Sequence, residues 1–147
     1  MNIYFICTGN TCRSPMAEAI LKNQNFADVE VRSAGIFAHE GSAMSQQAQA
    51  VLNQENVQHQ HTASLFTLKD ANWADVILTM TSQHKQMVLM LMQEGHDKVY
   101  TLKEYAYGHE LDVYDPYGGN VAVYEQTYKE LHDAITKIGE NIKNGGK

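Results

Sequence analysis

The sequence predicts an α/β domain, a three-layer sandwich in which a four-stranded parallel sheet lies between helices and a built loop follows the first strand. Two observations lead there. Short runs of β-branched and aromatic residues alternate with helical stretches along all 147 residues, the pattern of βα units with right-handed crossovers. The octet Cys7-Thr8-Gly9-Asn10-Thr11-Cys12-Arg13-Ser14 separates the first apolar run from the first helix, and ligands of such sheets bind beyond the carboxyl ends of the strands.

The elements follow in order. Asn2 to Ile6 is a buried strand, and Ser14-Pro15 reads as an N-cap followed by proline at the first helical position. Glu18 falls in the first turn of that helix, where an acid complements the helix dipole. A strand over Val29 to Ser33 precedes a helix around Ser45 to Gln54, and a short helix near Thr67 precedes the strand Val76 to Met80. A helix from Ser82 to Gln93 contains the run Met87-Val88-Leu89-Met90-Leu91-Met92, apolar around much of its circumference and so expected to be deeply packed. The strand Val99 to Thr101 and a long helix from Val121 to Ile142 complete the chain, with Tyr124 and Tyr128 one turn apart as packing residues and Trp73 structural. The tail from Lys143 to Lys147 is expected to fray. Residues 1–147 suffice for one domain that buries roughly two-thirds of its unfolded surface.

Composition narrows the partners. A net charge of −6 argues against nucleic acid and anionic membranes, which favour basic surfaces. Neither a basic, apolar leader nor a membrane-length apolar stretch is evident, so a cytoplasmic monomer is the expectation. Two cysteines five residues apart suit a reducing compartment better than a disulfide scaffold. His59 and His61 lack an evident carboxylate or thiol beside them in sequence, so no metal is expected, and nothing implies a cofactor.

The octet specifies chemistry. A loop from a strand end to a helix N-terminus offers backbone N–H groups and the positive end of a dipole to an oxyanion such as phosphate, with Gly9 and Asn10 the residue types that tolerate positive φ. Cys7 would face that helix end and the Arg13 guanidinium, both of which favour the nucleophilic thiolate. Arg13 can grip two phosphoryl oxygens, and Ser14 can donate to the Cys7 sulfur as it leaves. Thr8, Gly9, Asn10, Thr11, Cys12, Arg13 and Ser14 are thus the expected phosphate-binding residues. The loop lacks the Gly-Lys-Ser/Thr of a Walker A motif and the G-x-G-x-x-G dinucleotide fingerprint, which disfavours nucleotides.

Breaking a phosphoryl bond also requires a proton for the leaving group. Asp115-Pro116-Tyr117-Gly118-Gly119 supplies a carboxylate in a stiffened loop, with Tyr117 as a pocket wall. Asp112 is the nearby rival but lacks that context. Cys12, on the same curled loop as Cys7, is either a redox partner that traps oxidised Cys7 as a disulfide or a small apolar residue packed beneath the loop.

The octet with Pro15, the segment Arg32-Ser33-Ala34-Gly35 and the late Asp115-Pro116-Tyr117 together resemble the low-molecular-weight protein tyrosine phosphatase family. The resemblance implies Cys7 as nucleophile, Arg13 as phosphate ligand, Asp115 as general acid, and Asn10 with Ser33 as braces of the loop. Thr11 departs from the bulky aliphatic usual there. At that threonine, and at Thr81-Ser82-Gln83-His84-Lys85-Gln86 and Thr101-Leu102-Lys103-Glu104-Tyr105, the chain resembles the bacterial protein-arginine phosphatase branch. The implied activity is hydrolysis of phosphoarginine in proteins, with Thr11 and Tyr117 shaping the pocket. A phosphotyrosine phosphatase would use the same Cys7, Arg13 and Asp115, whereas a related arsenate reductase would need relay cysteines that this chain lacks. A phosphate-binding or redox-sensing module would need the octet but not Asp115.

Overall fold

A computed structural model of the protein describes residues 1–143, so the expected fraying of residues 144–147 lies outside the described residues. Four parallel strands form the sheet: β1 (Asn2–Cys7), β2 (Glu30–Gly35), β3 (Val76–Thr79) and β4 (Val99–Thr101), in the spatial order β2-β1-β3-β4. The chain leaves β1 toward β2 on one side and later returns to β3 on the other, so the end of β1 is a topological switch point, where a crevice opens.

Side-chain alternation along β1 divides the core. Ile3, Phe5 and Cys7 point into one layer with Met16, Ile20, Leu131 and Ile135, while Tyr4 and Ile6 point into the other with Ala71, Val88 and Met92. The first layer holds α1 (Arg13–Gln24), α5 (Leu102–Tyr107) and α6 (Val121–Lys143), with α2 (Gln46–Gln54) packed against α6; the second holds α3 (Leu68–Trp73) and α4 (Ser82–Leu91). Tyr124 and Tyr128 pack in the core, and Trp73 carries the Arg32 guanidinium 4.1 Å above its ring.

Several expectations require correction. Helix α1 starts at Arg13, with Cys12 at its N-cap and no side chain capping it, so Ser14 is not the cap and Pro15 is the third helical residue. Proline costs no hydrogen bond there, because the first four N–H groups of a helix have no partner within it. Glu18 accordingly lies beyond the first turn and is buried. The methionine-rich run is two-faced: Val88 and Met92 are buried while Met90 and Leu91 are exposed, and the helix ends at Leu91. Helix α5 was not anticipated, although Thr101 and Glu104 form a reciprocal capping box at its start.

Candidate active site

The octet folds into a loop whose carbonyls face away from its centre. Cys7 O accepts from Ile36 N at 3.0 Å, Thr8 O from Phe37 N at 2.9 Å, Asn10 O from His61 Nε2 at 2.8 Å and Thr11 O from Ser45 N at 3.0 Å. In a planar trans peptide the N–H opposes the C=O, so the N–H groups of Thr8, Gly9, Thr11 and Cys12 turn inward. With the uncapped start of α1, they form a concave donor array suited to an oxyanion.

Asn10 supplies the turn and the brace. Its φ of 58° is left-handed, whereas Gly9 is absent from the positive-φ residues, so the asparagine bears the torsion expected of both. A Cβ on Gly9 would meet nothing closer than Thr11 Oγ1 at 3.8 Å. Gly35 is the glycine that the loop requires: a Cβ there would stand 2.4 Å from Thr8 O and 2.9 Å from Asn10 N. Asn10 Nδ2 donates to Ser14 Oγ at 2.8 Å and to Ser33 Oγ at 3.0 Å, and its Oδ1 accepts from Ser64 N at 2.8 Å. Ser33 in turn donates to Glu18 Oε1 at 2.6 Å.

At the loop floor, Cys7 Sγ lies 2.8 Å from Ser14 Oγ and accepts from Asn10 N at 3.3 Å. Arg13, buried, donates through Nη1 to Val113 O at 3.0 Å, and its Nη2 lies 3.6 Å from Asp115 Oδ2. Val113 N donates to Met80 O at the end of β3, so the segment bearing Asp115 is tied to the sheet next to the loop. Asp115 Oδ1 accepts from Tyr117 N, leaving a half-exposed carboxylate at the rim beside an exposed tyrosine ring. Cys7, Thr8, Gly9, Thr11, Cys12, Arg13, Asp115 and Tyr117 line one cavity of about 260 Å³.

Residues 2–147 of the chain match the family model described as low molecular weight phosphotyrosine protein phosphatase. The chain belongs to that family. Within it, a protein-arginine-phosphatase of Geobacillus stearothermophilus is 43% identical over 96% of this chain and 95% of its own. A low molecular weight protein-tyrosine-phosphatase of Staphylococcus epidermidis is 41% identical over 94% of this chain and 96% of its own. A solved arginine phosphatase structure from Geobacillus stearothermophilus superimposes with a TM-score of 0.96 at 42% identity, covering 98% of this chain and 94% of that one.

The phosphatase fold brings Cys7, Thr8, Gly9, Thr11, Cys12, Arg13, Asp115 and Tyr117 to one pocket, while Asn10 and Ser14 of the octet, with Ser33, lie behind it. Asp112, the rival acid, instead accepts from Ser82 N at 2.9 Å and fastens the start of α4. The sequence marks His84 only as part of the Thr81 to Gln86 segment and gives it no role; it contacts Thr8 Oγ1 at 2.8 Å through Nε2 and Thr81 Oγ1 at 2.9 Å through Nδ1. Burial, reinforced by the Arg13 charge, pushes the His84 pKa down to about 4, so it supports the loop as a neutral ring. The assumption that no carboxylate stands near His59 and His61 also fails: Glu18, far off in sequence, is beside both. Among the described residues, no helix is long and apolar enough to cross a membrane.

Proposed function

We propose that this protein is a cysteine-dependent protein-arginine phosphatase. The observation that supports it is the shared lining of one cavity by Cys7, Thr11 and Asp115. Phosphoarginine would place its phosphoryl group in the donor array of the loop, held also by Arg13, and its planar guanidinium between Thr11, Tyr117 and Asp115. Threonine presents a hydroxyl where an aliphatic wall would suit a phenyl ring, and a carboxylate both orients a guanidinium and protonates its nitrogen.

The Cys7 thiolate attacks phosphorus in line, a P–S bond forms, the P–N bond breaks, and Asp115 delivers its proton to the leaving nitrogen. Water then attacks the cysteinyl phosphate with Asp115 as base, releasing inorganic phosphate and restoring the thiolate, to which Ser14 donates. Cys12 lines the same cavity as Cys7. It serves as redox partner: a peroxide oxidises the Cys7 thiolate to the sulfenic acid and is itself reduced to water or an alcohol, and attack by the Cys12 thiol then gives a disulfide and water, reversible by a thiol reductant. All of these groups come from one chain, which fits a monomer, and a thiolate nucleophile fits the reducing cytoplasm. The acidic balance favours arginine-bearing protein segments as substrates over nucleic acid.

The deciding experiment is kcat/KM on matched phosphoarginine and phosphotyrosine peptides, with Cys7→Ser as the blank. Preference for phosphoarginine, eroded in Thr11→Ile, supports the reading. Preference for phosphotyrosine keeps the mechanism and moves the substrate to the one named for the staphylococcal relative.

A further inference from the structure

Behind the anion loop, Glu18 and His61, which brace it through Ser33 and Asn10 O, converge with His59. One donor atom each from Glu18, His59 and His61 lies within 4.8 Å of the others. His61 Nε2 contacts Asn10 O at 2.8 Å, and because a carbonyl only accepts, the proton resides on Nε2 and the Nδ1 lone pair is free. Nδ1 faces Glu18 Oε1 at 3.8 Å, beyond hydrogen-bond reach. The His59 ring stacks on His61 with centroids 5.7 Å apart, and His59 Nε2 is the sole buried side-chain nitrogen or oxygen among the described residues without a hydrogen-bond partner.

We propose that Glu18, His59 and His61 form a zinc site. An orphaned buried nitrogen in a folded protein calls for a specific occupant, and the ring that carries it shares a small volume with a second lone pair and a carboxylate. Two imidazoles and one carboxylate match zinc and neighbouring first-row divalent ions, whereas magnesium and calcium prefer all-oxygen sites. A ligating histidine usually donates its other ring N–H to a backbone carbonyl, as His61 does toward Asn10. Ser33 likewise holds Glu18 Oε1 at 2.6 Å. A cavity of about 270 Å³ reached by Glu18 and His61, though not by His59, gives entry and room for a water as fourth ligand; its other charged lining residues, Arg32 and Asp70, pair with each other at 2.7 Å.

Zinc bonds of about 2.0–2.2 Å place tetrahedral ligand atoms roughly 3.3 Å apart, so the three donors must close in by about 1.5 Å. His59 is half-buried in the connection after α2, where rotation of the ring can provide this. Lys22 Nζ lies 2.8 Å from Glu18 Oε2 and is the competing cation, but it is half-exposed and leaves Oε1 to the histidine side. Zinc bound there fastens the 57–63 connection to α1 and, through His61 and Ser33, reaches the backs of Asn10 and the anion loop.

Calorimetric zinc titration of the full chain carrying Cys7→Ser and Cys12→Ser, so that neither thiol takes the metal, should give stoichiometric binding with micromolar or tighter affinity. Adding His59→Ala should weaken it at least roughly tenfold. In the same double variant, imidazole proton resonances of His59 and His61 should move on zinc addition while those of His39, His109 and His132 stay, a readout that needs no folded His59→Ala protein. Failure to bind zinc, affinity indifferent to His59→Ala, or shifts confined to the other histidines would overturn the site. None of these readouts depends on turnover, so the phosphatase reading is tested separately.

Discussion

Ser14 stands 2.8 Å from the Cys7 sulfur, and Asn10 decides where its proton points. The Asn10 amide nitrogen can only donate, so it occupies a lone pair of Ser14 Oγ and leaves the hydroxyl hydrogen for the sulfur. The Asn10 amide is itself oriented by Ser64 N on its oxygen. A donor so fixed stabilises sulfur most when it carries full charge, as attacking thiolate and as leaving group.

Ser14→Ala should therefore slow hydrolysis of the cysteinyl phosphate by roughly ten- to a hundredfold, the worth of a hydrogen bond to a charged group. Rapid-quench kinetics should reveal a burst of dephosphorylated product ahead of a slow steady state. A single slow phase without a burst would place the serine in the first step alone.

Asp115→Asn keeps the side-chain shape but removes the transferable proton. It should lower kcat/KM by about 10² to 10⁴ while inorganic phosphate still competes with its former affinity. Phosphate affinity falling in parallel would mean that Asp115 acts chiefly by holding Arg13, its neighbour at 3.6 Å.

Gly35→Ala introduces a methyl group 2.4 Å from Thr8 O, a backbone atom that cannot swing aside. The loop must shift, with a cost of about 1–3 kcal/mol and impaired catalysis. The urea midpoint and kcat/KM should fall together, and wild-type values of both would contradict the tight approach of β2 to the loop.

The unfolded chain takes up a proton at His84 near pH 6.5, the folded protein only near 4. Between those values the unfolded state binds more protons, so stability falls as pH drops from about 6.5 to about 4. Tm measured across this range should decline less in His84→Gln than in the wild-type protein. Equal slopes in the two proteins would assign the acid sensitivity to other groups.

The parts of the site written in one stretch of sequence were legible, since a strand end, a tight loop and a helix start are adjacent in the chain. Its supports were not. Glu18, His61, Ser64 and His84 reach the loop across 8 to 74 positions, judged from Asn10 and counted along the chain, and only the crossovers of the sheet decide that they meet. Ser14 looked like a cap because serine before proline usually is one, but the site recruits its hydroxyl for sulfur. Helix α5 escaped notice because Thr101 ends a strand and caps a helix at once, leaving no polar gap between the two. The methionine run misled for a related reason: composition shows how apolar a helix is, whereas neighbours decide which face they cover.

The outward-pinned carbonyls give the loop a selectivity that is geometric before it is chemical. Inward N–H groups recognise a tetrahedron of negatively charged oxygens, whatever atom stands at its centre, so sulfate, arsenate and vanadate should all enter as competitive inhibitors. Only an ester or amide of phosphorus that reaches Asp115 proceeds further. Free phosphate fits the same cradle, and the enzyme should accordingly slow as its own product accumulates.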